Sequence, residues 1–467
     1  MISFYLFALI YQEAGYRYPS FIKYFMRHFY LIIGPILAYL PFFIYRRLPF
    51  VAIYVGAYLF ILLFFATLKL RLKTTKRIKR LFIVYMLIMI GVSIYNYFLI
   101  PYCFLIAFLL ATLILLPVEK AIANYYLNKA IIKARTFKGK RIAITGSYGK
   151  TSTKFFIKEL LAQSHYVLAT PNSYNTPIGI SAFINRSDLS LAEILVYEFG
   201  ARKKGDIKEL CEYFKYDIAI VTGIEVTHID TFKSLKTILN EKMELAANLP
   251  AEGLLLINYE NQYLREYPLN RDVISYGFTY GDYRAKDLKL SLEGSSFSLY
   301  YRDQFLKGFE TSLIGRAAII NVLPALILAL KWQIPLPTYL PLKNVDNRLS
   351  VRKGDDFTII SDAYNANPIG FSYAIELLNT GKGVKYIITP GYAEMKSAFS
   401  SLVSHFTALL NTLDYVILVK NNFTMMATKG LKVPYKMVSS FKEGYQFFLK
   451  NKKEKALLLI ENDFKDL

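Results

Sequence analysis

Residues 145–154, TGSYGKTSTK, place a glycine-framed turn directly before a lysine and a run of hydroxyl side chains, the parts of a phosphate cradle. Glycine lets the backbone curl so that successive amides point inward at the start of a helix, where the helix dipole favours an anion. Gly146, Ser147, Gly149, Lys150, Thr151 and Ser152 are therefore the candidate phosphate-binding residues. Lys150 would neutralise the β and γ phosphates of a nucleotide, and the Thr151 hydroxyl would ligate magnesium. Position 144, a glycine in the full Walker pattern, is isoleucine, so the generic motif is only partly met. A glycine turn with an incidental lysine is the rival reading. The order of strand (RIAIT), loop and helical stretch (STKFFIKELLAQ) speaks against it.

Phosphoryl transfer needs metal ligands on neighbouring strand ends. The stretch VYEFG puts Glu198 at the end of one predicted strand, and VTGIEVTHID puts His228 just past the next. In a parallel sheet both fall at the carboxyl edge beside the phosphate loop. Taken alone, Glu198 reads equally as a helix cap or a surface ion pair, and His228 as a structural loop histidine.

The elements that must position these groups follow from hydropathy and charge. The chain has 467 residues, 54% of them hydrophobic, with 57 Lys and Arg against 35 Asp and Glu, a formal charge of +22. A membrane portion followed by a soluble portion fits that composition. The two cysteines, Cys103 and Cys211, offer neither a disulfide framework nor a metal site. Four apolar stretches, 28–45, 49–70, 81–99 and 101–118, are long enough to cross about 30 Å of hydrocarbon. The loop RLKTTKRIKR between the second and third is basic and NYFLIPY between the third and fourth is uncharged, so the basic loop is cytoplasmic. The opening MISFYLFALIY is about half a span and reads as interfacial or re-entrant. The expected arrangement is an α-helical membrane domain of about four spans (1–120), a linker helix starting at Pro117 and occupying 121–140, and then α/β structure. No acidic residue lies in the apolar runs, so an ion path is not signalled. The dense basic clusters adjoin the apolar segments, which favours an anionic lipid surface over nucleic acid.

From Arg141 onward, short β-branched runs alternate with helical ones (RIAITG, EILVYEFG, YDIAIVTG, GLLLINY, DVISYGF), the pattern of a parallel α/β sheet. Residues 288–315 read as an antiparallel meander, and RAAIINVLPALILALKW as a buried helix rather than a span. A second α/β set follows (FTIISDAY, VKYIITPG, YVILVK, KALLLIE).

The segments TGSYGKTSTK, TPNSYNTPIGIS, YEFGARKKGDIKEL, VTGIEVTHIDTFKSLKTILNEKMEL, NRL and SDAYNANPIGF occur in the order of the Mur ligases, and together the chain resembles the MurF branch over residues 117–467. The resemblance implies a central ATP-binding domain (141–349) and a Rossmann-like C-terminal domain (350–467). It implies a cytoplasmic ATP-dependent amide ligase of peptidoglycan precursor synthesis. Such an enzyme joins D-alanyl-D-alanine to a UDP-MurNAc-tripeptide through an acyl phosphate, with ATP and magnesium. Carried across residue by residue, Lys150 and Thr151 match the ATP and magnesium positions, and Glu198 and His228 match metal ligands. Lys242 matches a lysine that the family carbamylates; without the family it reads as a solvated helix lysine. Asn321 matches an adenine contact, Arg348 a phosphate contact and Asp362 a ribose ligand. For Asn175, Thr176, Tyr364, Asn365 and Asn367 the implied role is substrate contact and closure.

Three departures stand out. Ala317-Ala318 replace the family's His-Asn pair, and TPGYAEMK and LLLIENDFKDL differ from the usual C-terminal pattern. The small domain that grips the UDP-sugar in soluble members has no counterpart, the apolar segments standing in its place. The leading expectation is therefore a multi-pass protein of the cytoplasmic membrane with its catalytic domains inside, meeting membrane lipid and other cell-wall enzymes. Two alternatives remain: a related ligase acting on a lipid-linked muropeptide or another amino-acid acceptor, and a non-catalytic scaffold of wall synthesis.

Overall fold

The structure, a computed structural model, describes residues 2–13, 16, 21–22, 72–96, 100–226, 229–344, 349–354, 356–362, 368–392 and 400–461. The chain divides into two compact units, Met1–Tyr125 and Tyr126–Leu467.

In the first unit a short helix, Ile2–Glu13, packs beside the helix Lys76–Asn96 and the start of the helix Ile100–Arg135. Phe4, Phe7, Tyr11, Leu81, Tyr85 and Phe108 form the buried seam. The side chains facing away, Ile83, Leu87, Ile90, Ile106 and Leu110 among them, are exposed and apolar. Among the described residues two helices are long and apolar enough to cross a membrane, Lys76–Tyr95 and Ile106–Arg135. The expected spans 28–45 and 49–70 lie outside the described residues. Arg80, in the basic loop, donates to Glu119 at 2.7 Å, so the start of one long helix meets the stretch just past the apolar part of the other.

Pro117 does not begin a new helix. It lies inside one continuous 36-residue helix, Ile100–Arg135, which carries the chain from the first unit into the second. An internal proline forfeits one amide bond, and continuing the helix keeps the remaining amides paired.

The second unit holds two sheets. The first is built from β1 (Lys140–Thr145), β2 (Val167–Ala169), β3 (Ile194–Glu198), β4 (Ile218–Val221), β5 (Leu254–Asn258), β6 (Ile274–Gly277), β7 (Tyr283–Leu290), β8 (Ser295–Tyr301), β9 (Gln304–Thr311) and β10 (Tyr339–Leu340). Its order is β10-β9-β8-β7-β6-β5-β4-β1-β3-β2. Strands β1 to β6 pair in parallel, whereas β7, β8 and β9 form the antiparallel meander and extend the same sheet. Both faces are covered, so the parallel strands read as unbroken apolar runs. Ile142 and Ile144 face the helices Lys150–Leu161 and Arg316–Lys331. The intervening Ala143 faces the opposite core, which includes Ala130, Ile131 and Ala134 from the end of the long helix. Arg316–Lys331 is buried along most of its length despite Pro324.

The second sheet comprises β11 (Ser350–Lys353), β12 (Phe357–Asp362), β13 (Lys385–Thr389), β14 (Tyr415–Val419), β15 (Tyr435–Val438) and β16 (Ala456–Glu461), in the order β11-β12-β16-β13-β14-β15. All neighbours pair in parallel except β11 with β12. Contacts that join this sheet's domain to the first include an ion pair from Lys353 to Glu293 at 2.8 Å and the following two. Arg316 donates to both carboxylate oxygens of Glu376, at 2.7 and 2.8 Å, on the helix Pro368–Thr380. Asn344 accepts from the Ile314 amide at 3.1 Å and donates to the carbonyls of Ile314 at 3.3 Å and Leu349 at 2.8 Å.

Replacing Asn344 with alanine strips three partly buried backbone groups of their partner. Such a loss costs about 1–3 kcal/mol. The expected result is a lower urea midpoint with faster amide exchange at Ile314; unchanged exchange there would show the bridge to be dispensable.

Candidate active site

The loop after β1 reaches its shape through two glycines. Gly146 has φ 152° and Gly149 φ 81°, both outside the range open to ordinary side chains. Space is short as well, because a Cβ on Gly146 would strike the Thr222 hydroxyl and one on Gly149 the Asn321 amide oxygen. Gly149 takes the N-cap position of Lys150–Leu161 without a side-chain cap. The helix thus starts two residues earlier than its apolar pattern indicates, and Lys150, Thr151 and Ser152 form its first turn. The first amides of a helix have no partner within it, so this turn presents a positive end. Ser147 fixes the loop to its neighbour: its amide donates to Gly223 at 2.7 Å and its hydroxyl to the Glu225 carbonyl at 3.0 Å. The Lys150 ammonium lies over the loop, bonded to the carbonyl of Gly146 at 2.6 Å.

Glu198 ends β3 on the face shared by Ile194 and Val196, which looks toward this helix. It is 1% exposed, so the surface reading of this residue is overturned. One carboxylate oxygen accepts from the Thr151 hydroxyl at 3.0 Å and from Lys154 at 2.9 Å, and the other accepts from Asn175 at 3.1 Å. Burial alone would raise its pKa, but Lys154, Lys150 and the donated hydrogen bonds outweigh burial and hold it below the ordinary carboxylate value. Burial lowers the pKa of Lys154 against the pull of Glu198.

Lys242 lies on the helix Leu235–Ala247 and is 3% exposed, so it is not a solvated lysine. Its pKa is lowered to about 7, first by burial and then by the charge of Lys150. The neighbouring Glu241 turns elsewhere. It is buried and accepts from the amides of Gly205 and Ile207, both at 2.7 Å, at the start of the helix Asp206–Tyr213.

Thr176 caps the helix Pro177–Arg186, accepting from Gly179 at 3.2 Å. Asn321 is buried on Arg316–Lys331 against Gly149, in contact with the phosphate loop itself. Asp362 ends β12 in the second sheet. His228, Arg348, Tyr364, Asn365 and Asn367 lie outside the described residues. Lys154 and Glu241 were not singled out from sequence. Lys154 carried a readable signal, since it stands four residues after Lys150 and shares its helix face.

A hard divalent cation fits this donor set. The Thr151 hydroxyl and the Glu198 carboxylate meet as oxygen ligands at the mouth of a phosphate cradle, and magnesium takes one or two carboxylates together with substrate phosphates.

Residues 144–329 match the Mur ligase middle domain, the stretch that holds the loop, Glu198 and Lys242. The chain carries a Mur ligase middle domain. Its sequence is 29% identical over 271 residues to the UDP-N-acetylmuramoyl-tripeptide–D-alanyl-D-alanine ligase of Bacillus subtilis (strain 168), covering 54% of this chain and 56% of that one. It is 26% identical over 332 residues to the ligase of the same name from Buchnera aphidicola subsp. Baizongia pistaciae (strain Bp), covering 68% and 69%. The chain therefore spans little more than half the length of the first relative. In fold it is similar to the MurF ligase of Thermotoga maritima in complex with ADP, with TM-score 0.66 and 23% identity over 73% of this chain and 80% of that one. MurF of Acinetobacter baumannii is similar to the same degree, with TM-score 0.65 and 20% identity over 73% and 77%. The likeness in fold covers more of the chain than the middle domain alone.

The buried pair makes a stability prediction for this Mur ligase domain. Glu198→Gln leaves Lys154 with no counter-charge in a site where it is 5% exposed, a change that costs about 3–5 kcal/mol. Because the folded pKa of Glu198 is depressed, its contribution is complete above the ordinary value of 4.5 and is lost as pH falls through the folded value. Denaturation across pH 2–8 (a range of roughly 6 units) is expected to show the variant destabilised at neutrality and the difference shrinking in acid. A difference independent of pH would overturn the pairing.

Proposed function

We propose that this chain is an ATP-dependent amide ligase that adds D-alanyl-D-alanine to a UDP-MurNAc-tripeptide through an acyl phosphate. The observation that carries the reading is the convergence of a phosphate loop, an ionised buried carboxylate and a buried lysine of lowered pKa. The relatives' names support the choice of substrates.

ATP binds with its phosphates on the first turn of Lys150–Leu161, where free amides and Lys150 match the negative charge. The acceptor carboxylate attacks the γ phosphorus, ADP departs, and the acyl phosphate forms. The amine then attacks the acyl carbon and expels phosphate. Thr151 and Glu198, with His228, would hold magnesium, which would supply charge neutralisation to the phosphates. Lys154, Lys150 and Asn175 keep Glu198 ionised and oriented for that task.

Lys242 enters as a neutral amine. A lysine with a pKa of about 7 is half deprotonated at neutrality, and a neutral amine adds carbon dioxide to give a carbamate and a proton. The product is an anion beside Lys150, which relieves the repulsion between the two ammonium groups. Asn321, Arg348 and Asp362 are assigned to the nucleotide, and Asn175, Thr176, Tyr364, Asn365 and Asn367 to the acceptor and domain closure.

The N-terminal unit is assigned to the cytoplasmic membrane, with the catalytic unit on the cytoplasmic side. Its two long apolar helices favour a second reading of the acceptor, a lipid-linked muropeptide.

Phosphate release is expected only with ATP, a muramyl tripeptide and D-alanyl-D-alanine together; comparing UDP-linked with lipid-linked acceptors separates the two readings. No product by mass spectrometry from a complete panel of either would sink the ligase assignment. Incubation with ¹³C-bicarbonate is expected to give one carbamate resonance that Lys242→Arg abolishes. Its intensity should rise as pH increases through about 7, the pKa of the free amine.

A further inference from the structure

The order of the second sheet sets β16 between β12 and β13, so the final strand returns to the centre of the sheet. In register, Asp362 at the end of β12 stands beside Glu461 at the end of β16. Both carboxyls fall at the carboxyl edge of parallel strands, the edge at which α/β sheets take ligands. Glu461 shares its sheet face with Leu457 and Leu459, and it is 1% exposed. Its Oε2 has no hydrogen-bond partner among the described residues. A buried oxygen of that kind calls for a donor.

Among the described residues no donor is bonded to it. On β13, the Thr389 hydroxyl accepts from the Gly391 amide at 3.0 Å. Tyr392, just beyond, is buried and shares a 3.1 Å hydrogen bond with His405. Glu225, from the loop after β4, and Glu461 both act electrostatically on Tyr392. Two carboxyls, one from each sheet's domain, thus act on one tyrosine. The neighbouring charge that acts on Glu461 is Asp362, of the same sign, and burial and that repulsion push its pKa well above the ordinary value.

We propose that Glu461 receives the primary ammonium of the amine substrate. The identity of that amine rests on the ligase reading; the site itself does not. A carboxyl in this setting keeps its proton until a cation arrives. Binding then exchanges one charge for another: the ammonium docks, Glu461 ionises, and one proton leaves to solvent. An acylated amine carries no charge and cannot make the exchange.

The test is calorimetric titration of the full-length protein at neutral pH in two buffers of different ionisation enthalpy. The ligands are D-alanyl-D-alanine, its N-acetyl derivative and a panel of small primary amines. The free dipeptide is expected to bind with proton release, and the acetylated one at least tenfold more weakly with none. Glu461→Gln is expected to lose tenfold or more in dipeptide affinity, and the proton release with it, while keeping its ATP affinity and melting temperature. Glu461→Asp should recover part of both. Retained affinity and proton release in Glu461→Gln would overturn the proposal, as would no binding of any amine by the unaltered protein. Equal losses of ATP and dipeptide affinity would also overturn it, by marking Glu461 as a packing residue. Amine binding that follows Glu461 with no ligation product would sink the ligase reading and leave this site standing. Normal KM for the dipeptide in Glu461→Gln would do the reverse.

Discussion

An ionised carboxylate with almost no exposure has to be surrounded by donors, and Glu198 meets that demand with groups from separate parts of the chain. Thr151 and Lys154 come from the helix that the phosphate loop launches, and Asn175 from the segment leading into the next helix. The strand end, the loop and the helix are thereby locked to one another through a single side chain. Buried ions are costly when left unpaired, so this arrangement tolerates little rearrangement. The loop glycines then act within a frame already set, their close approach to Thr222 and Asn321 defining how deep a phosphate could sit.

Charge is sorted on a fine scale around that frame. Consecutive residues of a helix point about 100° apart, and Glu241 and Lys242 use the difference fully. Glu241 turns to the amides at the start of Asp206–Tyr213, where the helix dipole favours a carboxylate. Lys242 is buried and within reach of the charges of Lys150 and Glu198. Three lysines, at 150, 154 and 242, so converge on one carboxylate. The local excess of positive charge suits polyanionic substrates far better than the protein's overall basicity indicates.

Much of this was legible in the sequence because it depends on period and order. The strands RIAIT, ILVYE and IAIV announce themselves by unbroken apolar runs, and the meander by its turn residues. The strand-loop-helix order is enough to single out Lys150 and Thr151. What escaped depended on geometry between distant segments. β2 is three residues long, too short for a pattern. Lys154 and Lys158 both continue the helix face of Lys150, and only their depth separates the one that neutralises Glu198 from the one that is exposed. Glu198 and Lys242 were read as either functional or superficial, and only their depth separates these readings. The continuous helix through Pro117 was hidden because proline commonly starts a helix, and the following change in composition looks like a boundary. His228, Arg348 and the YNANP segment were identified by motif alone and lie outside the described residues.

That helix has a consequence for how the protein is made. Its last turns place Ala130, Ile131 and Ala134 inside the core on one face of the first sheet, beside Leu195, Tyr197 and Ala219. These residues leave the ribosome before any strand they cover, so the wall of the core exists before its floor. Domains mature in the order of synthesis, and here the catalytic sheet is assembled onto a surface supplied by the apolar segment's own extension. The sheet that holds the phosphate loop thus packs against a helix synthesised before it.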